Sequence, residues 1–152
     1  MDNRHDILQL LRQVADGSTA PEEALSQLKR APFEDLGYAK VDLHRGVRQG
    51  AAEVIYGAGK TPEQIAGIAA AMGARGCQNI LITRLNQEAA DAVAKAVPLD
   101  YHPIPRLAVA FPGVRKELGR IVVATGGTSD MAVAEEAALT AEVLGNKVTR
   151  LY

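Results

Sequence analysis

Between residues 3 and 15, Ile7, Leu8, Leu11 and Val14 recur at helical spacing, which predicts an amphipathic helix that Gly17 ends. A second short helix follows: Thr19 and Glu22 have the spacing of a capping box, Pro21 sits in the first turn, and Leu25 and Leu28 face inward. From Tyr38 the period falls to two. Val41 and Leu43 alternate with Lys40, Asp42 and His44, a half-buried strand, and Glu53 to Tyr56 form a second strand closed by Gly57-Ala58-Gly59. Thr61, Pro62 and Gln64 then read as N-cap, first helical position and capping-box partner. Ile65, Ile68, Ala69 and Met72 make the apolar stripe of that helix, and Gly76 stops it. A strand over 79–83, a helix over about 87–96 and a stop at Pro98 come next. Residues 100–110 read as a weaker extended segment, because Pro103 and Pro105 exclude regular ladder pairing there.

The last stretch changes character. Arg120 to Ala124 is a β-branched strand, Thr125-Gly126-Gly127-Thr128-Ser129-Asp130 a loop, and an Ala-rich helix runs to about Leu144. Val133, Ala137, Ala141 and Leu144 share one face of it, Gly145 caps its end, and Val148 to Tyr152 opens another strand. Such a β-loop-α-β unit belongs in a mostly parallel sheet. The predicted class is therefore α/β, with an N-terminal domain over 1–118 (helical over 1–30, α/β over 36–110) and the start of a Rossmann-like domain over 119–152. Two parallel strands and one helix cannot bury both sheet faces, so this second domain reads as incomplete. Apolar surface is expected on Val122, Val133, Ala137 and Val148 unless another chain covers it.

Composition narrows the function classes. The chain has 152 residues, 47% hydrophobic and 23% charged, as in an ordinary globular protein. A net charge of −1 and only 4% aromatic residues argue against nucleic-acid or anionic-membrane binding. No apolar run approaches the roughly 18 residues of a membrane span, and the charged residues Asp2, Arg4, His5 and Asp6 do not open a secretory signal. A lone cysteine, Cys77, excludes an internal disulfide framework and fits the cytoplasm.

Three constellations carry chemistry. In Thr125–Asp130, Gly126 and Gly127 let the backbone approach a ligand, while Thr128 and Ser129 can cap the helix and leave N–H groups aimed at an anion. Asp130 adds an acceptor for a ribose hydroxyl or a carboxylate for a metal; a plain capped strand-to-helix turn would use the same residues. Glu135 and Glu136 follow at about 100° to each other, too divergent to act as an acid–base pair. Tyr56, Gly57, Gly59, Lys60 and Thr61 resemble half a phosphate loop. The nucleoside-triphosphate motif needs four residues where only Ala58 stands, so the choice is a smaller anion site or a well-capped helix. His44, Arg45 and Arg48 form a basic cluster that clamps phosphate or solvates a loop. The histidines lack metal-ligand spacing, and Cys77 reads as a small buried residue.

Phe33 to Arg45, Glu53 to Thr61, Ile82-Thr83-Arg84 and Thr125 to Asp130 with Ala134 to Ala137 together resemble the LarB family of nickel-pincer cofactor biosynthesis, which serves lactate racemase maturation. The family has Ala where Gly127 stands. The resemblance implies a C-terminal domain similar to PurE, the aminoimidazole ribonucleotide carboxylase/mutase. It implies that Gly126, Gly127, Thr128, Ser129 and Asp130 bind substrate, with Arg45, Arg48, Tyr56, Gly57, Gly59, Lys60, Thr61 and Arg84 as further anion contacts. The implied reaction joins carbon dioxide or bicarbonate to nicotinic acid adenine dinucleotide, giving pyridinium-3,5-biscarboxylic acid mononucleotide and AMP. The family's cysteine nucleophile lies in the far C-terminal region, which these residues do not reach, so the fragment alone is expected to be inactive. No tightly bound cofactor is implied; magnesium on Asp130 and Glu135 is the candidate for neutralising phosphate charge. A homo-oligomer is implied as well. Two other readings compete: a PurE-like mutase acting on an imidazole ribonucleotide, and a non-catalytic nucleotide-binding or docking domain.

Overall fold

A computed structural model describes residues 3–30, 33–42, 54–114 and 117–152. Two helices open the chain, α1 (Asn3–Ala15) and α2 (Pro21–Arg30). Gly17, at φ 80, makes the turn between them. The Ala24 N–H bonds the Ala20 carbonyl, so α2 starts one residue later than a Thr19 cap requires. Ala24 of that helix is buried and Leu25 is exposed, against the expectation for Leu25, while the side chain of Leu28 lies outside the described residues. A short antiparallel pair follows, β1 (Phe33–Asp35) and β2 (Lys40–Asp42). His44, Arg45 and Arg48 lie outside the described residues.

The centre is a four-stranded sheet made of β3 (Val54–Tyr56), β4 (Ile80–Thr83), β5 (Leu99–His102) and β6 (Leu107–Ala110), in the order β3-β4-β6-β5. β3 and β4 are parallel, joined by helix α3 (Pro62–Ala74); β4 to β6 and β6 to β5 are antiparallel. Helix α4 (Gln87–Ala94) connects β4 to β5. The capping box read from the sequence is present: Thr61 Oγ1 accepts from the Gln64 N–H, and the Gln64 side chain accepts from the Thr61 N–H. Asn86 caps α4 in the same manner, its Oδ1 accepting from the Ala89 N–H at 2.8 Å.

The segment around Pro103 and Pro105 is corrected by the structure. The prolines occupy the turn between β5 and β6, where no ladder hydrogen bond is asked of them, and strands form on both sides. β6 is fully buried and central.

Alternation along β4 and β6 sorts two cores. Ile80, Ile82, Ala108 and Ala110 join Ile65, Ile68, Ala69 and Met72 of α3 and Ala90 and Val93 of α4. Leu81, Leu107 and Val109, on the other face, join Leu139 and Val143. Those two belong to α5 (Met131–Val143), which links parallel strands β7 (Gly119–Ala124) and β8 (Asn146–Leu151). Among the described residues β7 and β8 pair only with each other. α5 thus serves as a shared layer between its own strands and the central sheet. Its buried residues are Ala134, Ala138, Leu139 and Val143, whereas Val133 and Ala137 are exposed, as expected from the uncovered unit; Val148 is partly covered.

Candidate functional site

Parallel strands deliver ligands to the crevice beyond their carboxyl ends, so the loops after β3, β4 and β7 matter most. After β3 the chain makes a tight turn. The Gly57 N–H bonds the Thr83 carbonyl at 2.9 Å, the Lys60 N–H bonds the Gly57 carbonyl at 3.1 Å, and Gly59 takes φ 78. A Cβ on Gly57 would stand 2.7 Å from the Thr83 carbonyl oxygen, so glycine here is required by packing. Lys60 Nζ donates to the Tyr56 carbonyl at 3.0 Å, and Thr61 is occupied as a cap. The Tyr56 ring is exposed on the same loop side of β3.

After β7 the situation differs. Thr128–Asp130 form one 3-10 turn leading into α5. Neither Gly127 nor Asp130, the residues preceding the two helical segments, makes a side-chain cap bond. Thr128 and Ser129 therefore stand inside the first turn and do not precede it as caps. Gly126 and Gly127 are outside the left-handed region: Gly127 is extended at φ −163. A Cβ on Gly126 would meet nothing within 4 Å, and one on Gly127 only the Ser129 hydroxyl at 3.8 Å. Neither backbone conformation nor packing among the described residues demands glycine at this pair. The pair precedes a helix start without a side-chain cap, where N–H groups favour an anion. Thr128, Ser129 and Asp130 are all exposed there.

The adjacent glutamates are committed in opposite directions. Glu135 accepts from Arg150 Nε at 3.2 and 3.3 Å, within β8, and Arg150 also forks onto Glu142 at 2.6 and 3.1 Å. Glu136 pairs with Arg84, at the end of β4, at 3.2 Å. Since Leu139 and Val143 lie over Leu81, α5 runs from the carboxyl end of β4 back towards its start. The helix start, with its open glycine pair, therefore projects beyond the same sheet end that carries Gly57–Thr61 and Arg84. Sequence reasoning placed these residues on separate motifs; the Arg84–Glu136 pair brings them to one end.

With Glu135 taken by Arg150, Asp130 stands as a single carboxylate. Among the described residues no group of three His, Cys, Asp or Glu side chains is placed to hold a metal ion.

Comparison with known proteins places the chain in a family. Residues 33–111, just over half of the chain, match the family described as the LarB/PurE-like N-terminal domain. The chain belongs to the LarB family. The matched span contains Tyr56 to Thr61 and Arg84, while the Thr125–Asp130 loop lies beyond it. The chain is also similar to an uncharacterized protein of Methanocaldococcus jannaschii, 29% identical over 153 aligned positions that cover 94% of this chain. It spans 59% of that relative's length. No helix among the described residues is long and apolar enough to cross a membrane.

Proposed function

We propose that this chain is the front portion of an enzyme that carboxylates the pyridinium ring of nicotinic acid adenine dinucleotide and cleaves its phosphoanhydride. The products are AMP and pyridinium-3,5-biscarboxylic acid mononucleotide, an intermediate for a nickel-pincer cofactor. The observation that carries the reading is the open Gly126–Gly127 pair before an uncapped helix start, in a chain of the LarB family.

A pyridinium ring is too electron-poor to attack carbon dioxide. A thiolate that adds to the ring converts it to an enamine, whose carbon attacks carbon dioxide; loss of the ring proton to a base and departure of the thiolate restore aromaticity. Water then displaces AMP at the phosphoanhydride. In this scheme the residues here bind and orient: helix-start N–H groups and the Thr128 and Ser129 hydroxyls hold a phosphate, and Asp130 accepts from a ribose hydroxyl. Cys77 is unsuited to be the nucleophile. It is half-buried ahead of β4, at the sheet end opposite Arg84, and its N–H bonds the Met72 carbonyl. The scheme places the thiolate in the part of the full-length enzyme outside these residues, and the enzyme acts as a homo-oligomer in the cytoplasm.

The test is an assay with nicotinic acid adenine dinucleotide and bicarbonate, following AMP and the dicarboxylated mononucleotide by mass spectrometry. It is run on this chain and on the full-length protein. Turnover confined to the full-length protein is expected. Turnover by the 152-residue chain would move the nucleophile into these residues. Turnover only of an aminoimidazole ribonucleotide would replace the proposal with a PurE-like mutase.

A further inference from the structure

At the sheet end where β3 and β4 finish, the ladder sets residues side by side. The parallel register ends at Tyr56 with Thr83, just before Gly57 and Arg84, and the antiparallel register of β4 with β6 ends at Ile82 with Ala108, two residues short of Arg84 and Arg106. The Leu85 N–H donates to the Arg106 carbonyl at 2.8 Å, one residue out of that register, and so holds the backbone at Arg84–Leu85 beside that of Arg106. Both arginines hold left-handed backbone, Arg84 at φ 59 and Arg106 at φ 52, a conformation uncommon outside glycine.

For Arg84 the consequence is visible. Ile80 and Ile82 face α3 and α4, and strict alternation would send Arg84 to that side too. Its guanidinium instead meets Glu136 of α5, on the opposite side. The backbone turn thus keeps a cation out of the core and on the rim. Arg106 is exposed beside it and has no ion-pair partner among the described residues. Lys60 adds a third cation on the Gly57 loop, its ammonium donating to the Tyr56 carbonyl. Arg84, Arg106 and Lys60 thus stand at one sheet end, with Glu136 paired to Arg84.

We infer that this rim is a second anion site, taking a phosphate monoester or pyrophosphate between Arg84 and Arg106. Like charges set side by side repel, and a phosphate that accepts from both guanidinium groups converts that repulsion into attraction. Glu136 competes with the ligand for Arg84. The site lies at the same end of α5 as the Gly126–Asp130 loop, with Glu136 about 9 Å along the helix axis from Asp130. Naming the ligand further rests on the dinucleotide reading above: the rim takes the adenylate half that departs as AMP, and the loop takes the half that is carboxylated.

The experiment is an amide NMR titration of this chain with inorganic pyrophosphate and with AMP, repeated on three variants. Shifts at Gly57, Arg84, Leu85 and Arg106 are expected. Arg106→Gly should weaken binding about tenfold or more, yet leave the fold intact, because glycine accepts the left-handed backbone without strain. Glu136→Gln should tighten binding by freeing Arg84, a result that a merely structural pair would not give. Arg120→Gln, at the start of β7, should change nothing. No saturable binding of either probe, or an unaltered affinity in Arg106→Gly, overturns the site. The two proposals fail separately. Dinucleotide shifts centred on Gly126–Asp130 and insensitive to Arg106→Gly would remove the rim and keep the carboxylase reading. Pyrophosphate at the rim with no dinucleotide at Gly126–Asp130 would do the reverse.

Discussion

Arg84, one residue past the end of β4, and Glu136, in the second turn of α5, stand 3.2 Å apart and join the central sheet to the β7–β8 unit. With the Arg84 side chain more than half exposed, the pair is screened and its energy is small. A double-mutant cycle with Arg84→Gln and Glu136→Gln, read by urea unfolding, should give a coupling of about 0.5–1 kcal/mol that fades in high salt. Its main effect is on order: in Glu136→Gln the amides of 128–136 should exchange faster than in the parent protein. Unchanged exchange there would mean that Leu139 and Val143 alone hold the start of α5.

Gly57 offers a test of the loop after β3. An added Cβ would approach the Thr83 carbonyl oxygen to 2.7 Å and Ile65 Cδ1 to 3.5 Å. The first contact is backbone and cannot rotate away. Gly57→Ala should therefore cost about 1–3 kcal/mol, read as a lower urea midpoint at constant slope. Gly126→Ala, where a Cβ meets nothing, should leave that midpoint nearly unchanged. Its loss should instead appear in dinucleotide binding.

Arg150 holds α5 to β8 by bonding Glu135 and Glu142 together. The Glu142 hydrogen bonds raise the guanidinium's pKa well above its ordinary value, against the opposing effect of desolvation. Arg150→Met would leave two partly buried carboxylates without their cation, a loss of about 1–3 kcal/mol. Arg150→Lys restores the charge without the planar fork and should recover only part of it. Thermal unfolding should rank the three as parent, Lys, Met. A Met variant as stable as the parent would show that packing, not the charge network, holds β8.

The start of α3 carries a pH signature. The Glu63 carboxyl is held below 4.5 first by its own backbone N–H and second by the Thr61 hydroxyl. A folded pKa below the unfolded value gives stability that is present above about pH 4.5 and is lost as pH falls through the depressed value. In an NMR titration, Thr61→Val should move the Glu63 midpoint upward but leave it below 4.5, because the larger cause remains. An unmoved midpoint would remove the hydroxyl from the account.

The local signals were legible because each acts within one helical turn. Thr61, Pro62 and Gln64 specify a helix start wherever they stand, and the Ile65–Met72 stripe names its buried face. What escaped the sequence depends on partners far along the chain. Pro103 and Pro105 look hostile to a strand until β5 and β6 are seen to flank them. The Ala-rich α5 offers no single dominant apolar stripe, so Leu139 and Val143 became core only because Leu81, Leu107 and Val109 present a second apolar face. Arg106 carried no motif at all. Its significance comes from the Leu85 N–H bond to its carbonyl, which sets it beside Arg84, and from a left-handed backbone that no pattern of side chains encodes.

The β7–β8 pair yields the last prediction. Its register sets Val123 opposite Arg150, which reaches α5, so Val122 and Leu151 lie on the face turned away from the helix. Val122 is 62% exposed and Leu151 56%, and on the outer side of α5 Val133 is 68% exposed. Parallel strands are normally covered on both faces, and apolar area of this kind favours association. The 152-residue chain should therefore self-associate, seen in sedimentation velocity as a coefficient that rises with concentration. Val122→Lys should suppress that rise while leaving the thermal midpoint almost unchanged, because an exposed side chain contributes little to the folded chain's own core. A chain that sediments as a monomer at every concentration would show that this face needs no partner of its own kind. The homo-oligomer in the proposed function would then have to form through other surfaces.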